Sequence, residues 1–346
     1  MSADAHPGVA HSGRTVGAVL VARQPGQDVT MDFVQVPAPE LGDGQVLIEP
    51  SFVGVCGSDL ELLAGHLDED YPVEYPLILG HEWSGTVAEV GDGVAGLEVG
   101  ELVIGHGALG GNRWFGVTTN GAMAEQFVVP ASLCFPVPQT ITARQAALVE
   151  PLACVLEGLQ RAGGADASHT AMVFGCGTLG LAMIALLHTT GAVVVAVDPS
   201  ASRRKLAEDL GADLGLDAAG GDVLLRRIQE HFGVTGADLV IEASGAPQAQ
   251  SAALEVTAVR ARVVFMGITR GVAPSAQLRL VQARLLSVMT SSGAPAEIWE
   301  PTLRLMARTG LDLTPAVSEP FAFNDCQAAL EAARSPETSG KVMLRP

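Results

Sequence analysis

The chain has 346 residues, of which 48% are hydrophobic and only 4% aromatic, and its formal net charge is -18 at pH 7. This length exceeds what one hydrophobic core usually organises, so we expect two domains. The negative charge argues against nucleic acid or an anionic membrane as a partner, because either would repel the chain at long range. Small molecules remain the expected partners.

The N-terminal segment MSADAHPGVAHSGRTVG has neither a basic start nor an apolar stretch of signal-peptide length, so we interpret it as a short flexible extension. From residue 15 to about residue 153, short apolar segments alternate with Gly and Pro, as in VQVPAPELGDGQVLIEPSFVGV. Such segments are typical of strands joined by tight turns. This part of the chain is therefore predicted to be a mostly β, barrel-like module.

From about residue 156, the apolar segments AMVFG, VVVAVD, ADLVIEASG and RVVFMG alternate with amphipathic ones such as SRRKLAEDLGA. This alternation predicts a doubly wound parallel sheet and an α/β fold class for the chain. After about residue 293, a helix-like segment and a Pro-rich turn lead to GKVMLRP, a short strand that could rejoin the first module. The predicted domains are residues 1–155 together with 294–346, and residues 156–293.

Residues 170–198 lack charge for long enough to resemble a membrane span. They contain VFGCGTLG, which places Gly175, Gly177 and Gly180 in the spacing G-x-G-x-x-G between an apolar strand and an apolar helix. Such glycines permit a tight turn, approach of the backbone to a pyrophosphate, and close helix packing. The run therefore predicts a buried dinucleotide-binding unit, with Thr178 and Leu179 at the helix start as further contacts.

Asp198 ends the next predicted strand, eighteen residues after Gly180. A carboxylate at this place binds both ribose hydroxyls of NAD and repels a 2′-phosphate. The alternative is a turn-forming aspartate before Pro199. Arg203 could in principle tolerate a 2′-phosphate. NAD is the expected cofactor.

The five cysteines are scattered and include no CxxC pair, which argues against a disulfide framework and favours a reducing cytoplasm. One of them, Cys56 in GVCGSDL, stands between glycines, and LGHEWSG places His81 and Glu82 after another glycine. Two tight turns and a buried thiol are the simpler interpretation. The dinucleotide motif favours a different one, because a nicotinamide cofactor needs a group that polarises its alcohol or carbonyl substrate.

A catalytic zinc ion supplies such a group and is commonly held by three protein ligands. Cys56, His81 and a carboxylate would meet that need. The candidate carboxylates are Glu82 and Glu150, the latter in ALVEPLACVLEG. Glu150 stands in an apolar stretch, where a charge usually needs a partner or a metal. Its alternative role is a carboxylate at a helix start.

On these motifs the chain resembles the zinc-dependent medium-chain dehydrogenases of the alcohol dehydrogenase superfamily, nearest the sorbitol (polyol) and threonine dehydrogenase branch. The resemblance covers about residues 16–345 and rests on GVCGSDL, LGHEWSG, GDGV, EPLA, GCGTLG, VIEASG and GKVML. It implies a GroES-like, mostly β catalytic domain and a Rossmann cofactor domain. It also implies Cys56 and His81 as zinc ligands, with Glu82 and Glu150 completing or approaching the ligand set.

The resemblance further implies that Ser58 passes on the substrate proton and that Asp59 orients the zinc-bound histidine. Glu61 stands where many relatives carry a histidine at the outer end of the proton path, so the chain departs from the family pattern at this position. Ser244 and Gly267, in and after the VIEASG segment, are the remaining candidate cofactor contacts.

The chain departs from the family pattern between Ile104 and Gly121, where GHGALGGNRWFGVTTN replaces the usual four-cysteine lobe. We therefore expect one catalytic zinc and no structural zinc. Trp83 stands where a smaller residue is common, and it either narrows the substrate pocket or is a core aromatic. Surface or packing roles are expected for the other polar residues near the motifs, which are His66, His106 and Glu157.

The predicted function is hydride transfer between NAD and a secondary alcohol or ketone, with a polyol, cyclitol or aminocyclitol as substrate. One alternative is a zinc-free medium-chain reductase of enones or quinones, and another is a non-catalytic dinucleotide-binding protein. The intact set of Cys56, His81 and Glu150 argues against both. The resemblance also implies a homodimer or homotetramer, because members of this family associate through the edge strand of the cofactor sheet. The corresponding strand is expected at residues 285–291, LLSVMTS, an apolar edge that would invite unwanted pairing if it were exposed.

Overall fold

The computed structural model describes residues 13–24, 27–66, 72–268, 276–335 and 340–346. The part of the predicted N-terminal extension before residue 13 lies outside the described residues. Every candidate site residue named above lies within them.

The first module consists of short strands, as its Gly and Pro punctuation predicts. Its strands are β1 (Thr15–Ala22), β2 (Thr30–Pro37), β3 (Gln45–Gly54), β4 (Leu77–Ile78), β5 (Glu82–Val90), β6 (Leu102–Gly105), β7 (Ala108–Gly110), β8 (Arg113–Trp114), β9 (Phe127–Pro130) and β10 (Cys134–Pro136). The helices are α1 (Gly57–Leu63) and α2 (Ala143–Ala146). A three-stranded sheet has the order β2-β1-β4, and β7 and β8 form a small hairpin.

The second module contains the predicted alternation of strands and helices. Its elements are α3 (Val149–Arg161), β11 (Thr170–Phe174), α4 (Thr178–His188), β12 (Val193–Val197), α5 (Ala201–Asp209), β13 (Leu214–Leu216), α6 (Gly221–Phe232), β14 (Ala237–Glu242), α7 (Pro247–Glu255), β15 (Thr257–Phe265), α8 (Arg279–Ala283) and β16 (Ser287–Thr290). The strands form a six-stranded sheet in the order β13-β12-β11-β14-β15-β16, in which neighbouring strands are parallel. The order reverses between β11 and β14, which is where ligands bind in such sheets. The predicted doubly wound parallel sheet is confirmed.

The C-terminal part returns to the first module. After α9 (Trp299–Thr309), β17 (Phe321–Ala322) and α10 (Cys326–Arg334), the last strand β18 (Met343–Arg345) pairs antiparallel with β3. It thereby joins a seven-stranded sheet of order β10-β6-β5-β3-β18-β17, in which β9 also pairs with β3. The predicted return of GKVMLRP is confirmed.

Helix α3 connects the two modules. Leu152, Val155 and Leu159 on it belong to one apolar core that also includes Ile104 of β6 and residues of α4 and α9. At its C-terminal end, the Arg262 side chain of β15 donates to the carbonyls of Ala162 at 2.7 Å and Gly164 at 2.6 Å. The guanidinium thereby satisfies the carbonyl of the C-cap residue Ala162 and one carbonyl of the turn that follows the helix.

The charge-free run of residues 170–198 forms β11, α4 and β12, as predicted. Within the described ranges, no helix is both long and apolar enough to cross a membrane. Trp83 lies in the core of the first module, with its ring centroid 4.9 Å from that of Phe127 in an edge-to-face arrangement. Of its two interpretations, the structure supports the core aromatic.

Candidate metal and dinucleotide sites

Strand pairing brings together three stretches that are far apart in the sequence. Gly54 on β3 lies opposite Glu82 on β5, and also opposite Met343 on β18. Cys56 follows β3 and His81 immediately precedes β5. Side chains from residues near 56, 81 and 341 therefore meet at one end of the sheet.

The Cys56 thiol, a ring nitrogen of His81 and a carboxylate oxygen of Glu82 all lie within 4.8 Å of one another. We call these three side chains the metal-ligand group. Among the described residues, this is the one group of its kind. Sulfur, imidazole nitrogen and carboxylate oxygen together suit zinc, whereas magnesium and calcium prefer oxygen ligands alone. The donor set therefore fits the expected metal. Glu150, the fourth predicted ligand, lies outside this group.

Helix α1 begins directly after Cys56 and positions two further predicted residues. The Asp59 carboxylate accepts the Cys56 backbone N–H at 2.8 Å, and its other oxygen lies 3.8 Å from His81 Nδ1. The Ser58 hydroxyl lies 3.4 Å from His81 Nε2. Asp59 thus faces one ring nitrogen of His81 and Ser58 the other, so that one turn of helix holds both groups against the imidazole.

The Glu82 carboxylate is bound by Lys341, which precedes β18, and both side chains are at most 4% exposed. A Cβ atom on Gly54 would lie 2.4 Å from Glu82 Oε2 and 2.8 Å from Lys341 Cε, so a larger residue there would displace the ends of both side chains from their present positions. Sequence reasoning missed Gly54 and Lys341 as site residues. The available signal was a lysine in the otherwise apolar segment GKVML.

Glu150 lies in the first turn of α3, as the helix-start interpretation predicts, and the Cys154 thiol donates to its Oε1 at 3.3 Å. Burial raises the pKa of Glu150, and the charge of Glu82 adds to this effect, while His81 and Lys341 act in the opposite direction. Glu150 therefore interacts electrostatically with the metal-ligand group from the α3 side. Sequence reasoning missed Cys154.

The other buried groups of the site also have shifted pKa values. Burial alone would lower the pKa of His81, but the Cys56 thiolate and a hydrogen bond to it raise this pKa to about 10. Burial raises the pKa of Asp59 even though the charge of His81 opposes this change. Burial would lower the pKa of Lys341, but Glu82 and Cys56 outweigh it and the net change is upward. Several acidic groups are thus crowded together, and a divalent cation among them would offset their repulsion.

The metal-ligand group is open on one side. Cys56, Ser58 and Glu150 are partly exposed, whereas His81 and Glu82 are buried. A small molecule can therefore approach from the side of the thiol and the hydroxyl.

Glu61 lies one turn after Ser58 on α1, on the same helix face. Its carboxylate accepts a hydrogen bond from His66 Nδ1 at 3.1 Å, and both side chains are partly exposed. His66 is thus a surface residue, in line with the expected role.

His106 has the expected packing role. Its Nε2 donates to the Ala294 carbonyl at 2.9 Å, and its Nδ1 accepts the Ala108 N–H at 3.1 Å. The rings of Trp114 and Trp299 flank it at centroid distances of 5.4 and 5.3 Å. Both ring nitrogens are therefore used within the protein.

The dinucleotide motif forms the turn between β11 and α4. A Cβ atom on Gly180 would lie 1.7 Å from the Gly175 carbonyl oxygen, and one on Gly175 would lie 2.7 Å from Ser244 Cβ. A Cβ atom on Gly177 meets nothing within 4 Å. Gly175 and Gly180 therefore permit close backbone packing, whereas Gly177 leaves open space at the start of α4.

Gly177 is the N-cap of α4, and Thr178 and Leu179 are the next, half-buried residues. The first backbone N–H groups of a helix lack intrahelical partners and attract anions. The turn thus has both the space and the donors that a pyrophosphate requires.

Asp198 follows β12 and is only 3% exposed. One carboxylate oxygen accepts the Cys176 N–H at 2.8 Å and the other accepts the Ser200 N–H at 2.8 Å. Asp198 therefore ties the glycine turn to the loop after the next strand. Arg203 is half-buried in the first turn of α5, which Ser200 caps.

The loops after β14 and β15 lie at the same edge of the parallel sheet as the turn between β11 and α4. The Glu242 carboxylate, which is fully buried, accepts the N–H groups of Ser244 at 2.8 Å and Gly245 at 3.0 Å. A Cβ atom on Gly267 would lie 2.0 Å from the Gly245 nitrogen. Sequence reasoning missed Glu242, although a lone acidic residue in the apolar strand ADLVIE was visible.

Two family models match the chain, the alcohol dehydrogenase GroES-like domain over residues 42–139 and the zinc-binding dehydrogenase over residues 178–308. The L-threonine 3-dehydrogenase of Pyrococcus abyssi is 31% identical over 332 residues, which cover 90% of this chain and 94% of that protein. The sorbitol dehydrogenase of Halalkalibacterium halodurans is 27% identical, with the same two coverages.

A crystal structure of the 2R,3R-butanediol dehydrogenase of Bacillus subtilis aligns with a TM-score of 0.83 at 27% identity. The alignment covers 96% of this chain and 99% of that one. Together with the family models, it confirms the predicted fold class and the resemblance inferred from the motifs.

Proposed function

Because the chain belongs to the zinc-dependent medium-chain dehydrogenases of the alcohol dehydrogenase superfamily, we propose that it transfers a hydride between NAD and a secondary alcohol or ketone. It is an oxidoreductase of CH–OH groups that uses a nicotinamide cofactor. The observation that carries the proposal is the gathering of the Cys56, His81 and Glu82 donor atoms within 4.8 Å, beside the Ser58 hydroxyl.

In the proposed site, Cys56 and His81 hold one zinc ion together with a carboxylate from Glu82 or Glu150. A bound zinc ion acts as a Lewis acid and lowers the pKa of the substrate hydroxyl. Ser58 accepts the hydroxyl proton and passes it on. Asp59 faces His81 Nδ1 and thereby keeps Nε2 turned toward the ligand group.

Glu61 is the proposed outer member of the proton path. It lies on the same face of α1 as Ser58 and contacts His66 at the surface. A carboxylate can accept and release a proton at this place. The segment between Ile104 and Gly121 carries no cysteine, so we propose that this zinc is the only one in the chain.

The proposed cofactor site lies at the carboxyl ends of β11, β12 and β14. The start of α4, with Gly177, Thr178 and Leu179, binds the pyrophosphate. Asp198 binds the adenine ribose, and its charge disfavours a 2′-phosphate even with Arg203 in the next helix. Further contacts of the cofactor are Gly175, Gly180, Ser244 and Gly267.

We propose a polyol, cyclitol or aminocyclitol as the substrate. The similarity to a sorbitol dehydrogenase and to a 2-dehydro-3-deoxy-L-galactonate 5-dehydrogenase supports a polyhydroxylated compound. A zinc-free reductase of enones or quinones would have no use for the gathered donor atoms of Cys56, His81 and Glu82, and neither would a non-catalytic dinucleotide-binding protein.

The proposal is tested by following NAD and NADP reduction by zinc-loaded protein against a panel of polyols, cyclitols and amino alcohols. We expect turnover of a secondary alcohol with NAD, and one zinc per chain by metal analysis. Asp198→Ser should weaken NAD binding by about 1–3 kcal/mol, the cost of a lost charge-assisted hydrogen bond. A higher kcat/KM with NADP overturns the cofactor assignment, and turnover by metal-free protein overturns the zinc assignment.

We further propose that residues 1–155 with 294–346 form the catalytic domain and residues 156–293 the cofactor domain. Helix α3 runs across the first of these junctions. A cytoplasmic location is proposed because all five cysteines are free thiols. Limited proteolysis that releases a stable fragment unrelated to these boundaries would contradict the division.

A homodimer or homotetramer is proposed on the basis of β16, which ends the six-stranded sheet. On and beside this strand, Val288 is 43% exposed and Leu285 is 56% exposed, which leaves an apolar edge suited to a second copy of the chain. Light scattering at micromolar concentration should give at least the dimer mass. Val288→Lys should shift the equilibrium toward monomer, and a monomeric wild-type protein would refute the proposal.

A further inference from the structure

The two carboxylates at the metal-ligand group are restrained in different ways. Glu82 is bound by the buried ammonium group of Lys341 and has an oxygen within 4.8 Å of the other donor atoms. Glu150 lies outside that group and accepts a hydrogen bond from the Cys154 thiol at 3.3 Å. An ammonium group is a strong, charged donor, whereas a thiol is a weak one.

The contact between Cys154 and Glu150 is built into helix α3. The two residues are four positions apart, which places them one above the other on the same helix face. Cys154 is 7% exposed and belongs to the apolar core that α3 shares with α4. Within the described part of the chain, no other donor is within hydrogen-bond distance of the Glu150 carboxylate.

A catalytic zinc site keeps one position free for substrate, and a fourth protein ligand would fill it. Glu150 is the carboxylate placed to do so, because it lies in the first turn of α3 and this helix packs against β5, the strand that begins with Glu82. The charges of Glu82 and His81 also act on the Glu150 carboxyl. The contact that keeps Glu150 out of the metal-ligand group therefore determines whether a position remains free for substrate.

We propose that the Cys154 thiol is a positioning residue that holds Glu150 back from the metal ligands, so that Cys56, His81 and Glu82 form the resting set. This inference rests on the proposed zinc site. Since the restraint is a single weak hydrogen bond, Glu150 can leave it when the ligand set changes. Cys154 thereby determines which of the two carboxylates is the resident ligand and which is the exchanging one.

The test compares Cys154→Ala and Cys154→Val, which lack the donor, with Cys154→Ser, which keeps one. Zinc affinity is measured by competition with a chromophoric chelator, and the ligand set is monitored by the visible spectrum of cobalt-substituted protein. For the Ala and Val variants we expect about tenfold tighter zinc binding, a changed cobalt spectrum and about tenfold lower kcat. The Ser variant should resemble the wild type. Cys326→Ala, a change at another buried cysteine, serves as the matched control.

The double variant Cys154→Ala with Glu150→Gln isolates the mechanism. If released Glu150 causes the tighter binding, the double variant should have the zinc affinity and cobalt spectrum of Glu150→Gln alone. Unchanged or weaker zinc binding in both the Ala and Val variants overturns the inference. A wild-type protein that binds no zinc overturns the proposed function instead, so the two failures are distinguishable.

Discussion

The metal-ligand group and its ion-pair partner Lys341 come from distant stretches around residues 56, 81 and 341. The dinucleotide turn, in contrast, uses six consecutive residues, 175–180. In the first region, buried acidic and basic groups are held by one another. In the second, a carbonyl oxygen would lie 1.7 Å from a Cβ atom on Gly180, so the backbone itself fills the space. Charge balance governs one site and backbone proximity governs the other.

Because the two sites are held together in different ways, we expect a substitution at one site to leave the ligand binding of the other unchanged. A change of charge at the metal-ligand group should leave the dinucleotide turn intact, because that turn is held by β11, α4, Asp198 and the Ser244 loop, none of which belongs to the metal-ligand group. A change of volume at the turn should likewise leave the metal in place.

The largest expected effect is on turnover. Cys56→Ala removes a proposed zinc ligand and should lower kcat/KM by roughly a thousandfold or more, since a Lewis acid contributes several kcal/mol to the reaction. NAD binding, measured by quenching of protein fluorescence, should stay near the wild-type value. Substantial activity in the variant would contradict the role of Cys56 in the metal-ligand group. Loss of NAD binding in the variant would contradict the independence of the two sites.

The next effect is on stability. Lys341→Met leaves the Glu82 charge buried without its partner, and we expect the free energy of unfolding to fall by about 3–5 kcal/mol. Denaturant unfolding of the zinc-free protein measures this value. Lys341→Arg, which keeps the charge, is the control and should lose much less. Equal losses in both variants would show that shape rather than charge matters at this position.

A matched pair of glycine variants tests whether close backbone packing holds the dinucleotide turn together. Gly180→Ala forces its Cβ atom against the Gly175 carbonyl, and we expect a destabilisation of about 1–3 kcal/mol. Gly177→Ala meets open space and should change stability by less than about 0.5 kcal/mol. Its Cβ atom would occupy the proposed pyrophosphate position, so the NAD dissociation constant should rise by roughly tenfold or more.

Zinc content should be unchanged in both glycine variants. Normal NAD binding by Gly177→Ala would count against a pyrophosphate at the start of α4.

The smallest expected effect is on the rate at which the buried cysteines are alkylated in the folded protein. Burial raises the pKa of Cys134 to about 12, and burial also raises the pKa of Cys176 to about 12. At about pH 8 these groups remain thiols, which react slowly, and their reactivity should grow only as the pH approaches the raised values. Peptide mapping after alkylation should find Cys56 labelled first in zinc-free protein and protected by zinc. Rapid labelling of Cys134 or Cys176 would contradict the structure.

The dinucleotide turn could be predicted from the sequence because its requirements are local. Gly180 lies five residues after Gly175, at the start of the helix, and Asp198 lies one helix and one strand further on. The alternation of strands and helices then predicts the parallel, doubly wound sheet. The role of Glu242 was not predicted. Its carboxylate accepts hydrogen bonds from the Ser244 N–H, the Ser244 hydroxyl and the Gly245 N–H, and these contacts depend on how the chain turns after β14 rather than on a sequence spacing.

The metal-ligand group could be predicted only in part. Cys56 and His81 were marked by their glycines and by the family motifs, but Glu82 and Glu150 could not be ranked. In the inference proposed above, their ranking depends on two contacts: strand pairing brings Lys341 to Glu82, and helix geometry brings Cys154 to Glu150. A lysine more than 250 positions away from Glu82 leaves no local pattern that sequence reasoning could detect.

Helix α3 has a mechanical consequence. Its 13 residues span about 20 Å, with Glu150 at one end and the carbonyls that Arg262 holds just beyond the other. The far end is therefore pinned to the parallel sheet, while the near end points into the metal-ligand group. A tilt of α3 by about three degrees around its pinned end would move Glu150 by about 1 Å, so the angle between α3 and the sheet sets where Glu150 lies relative to the ligand group.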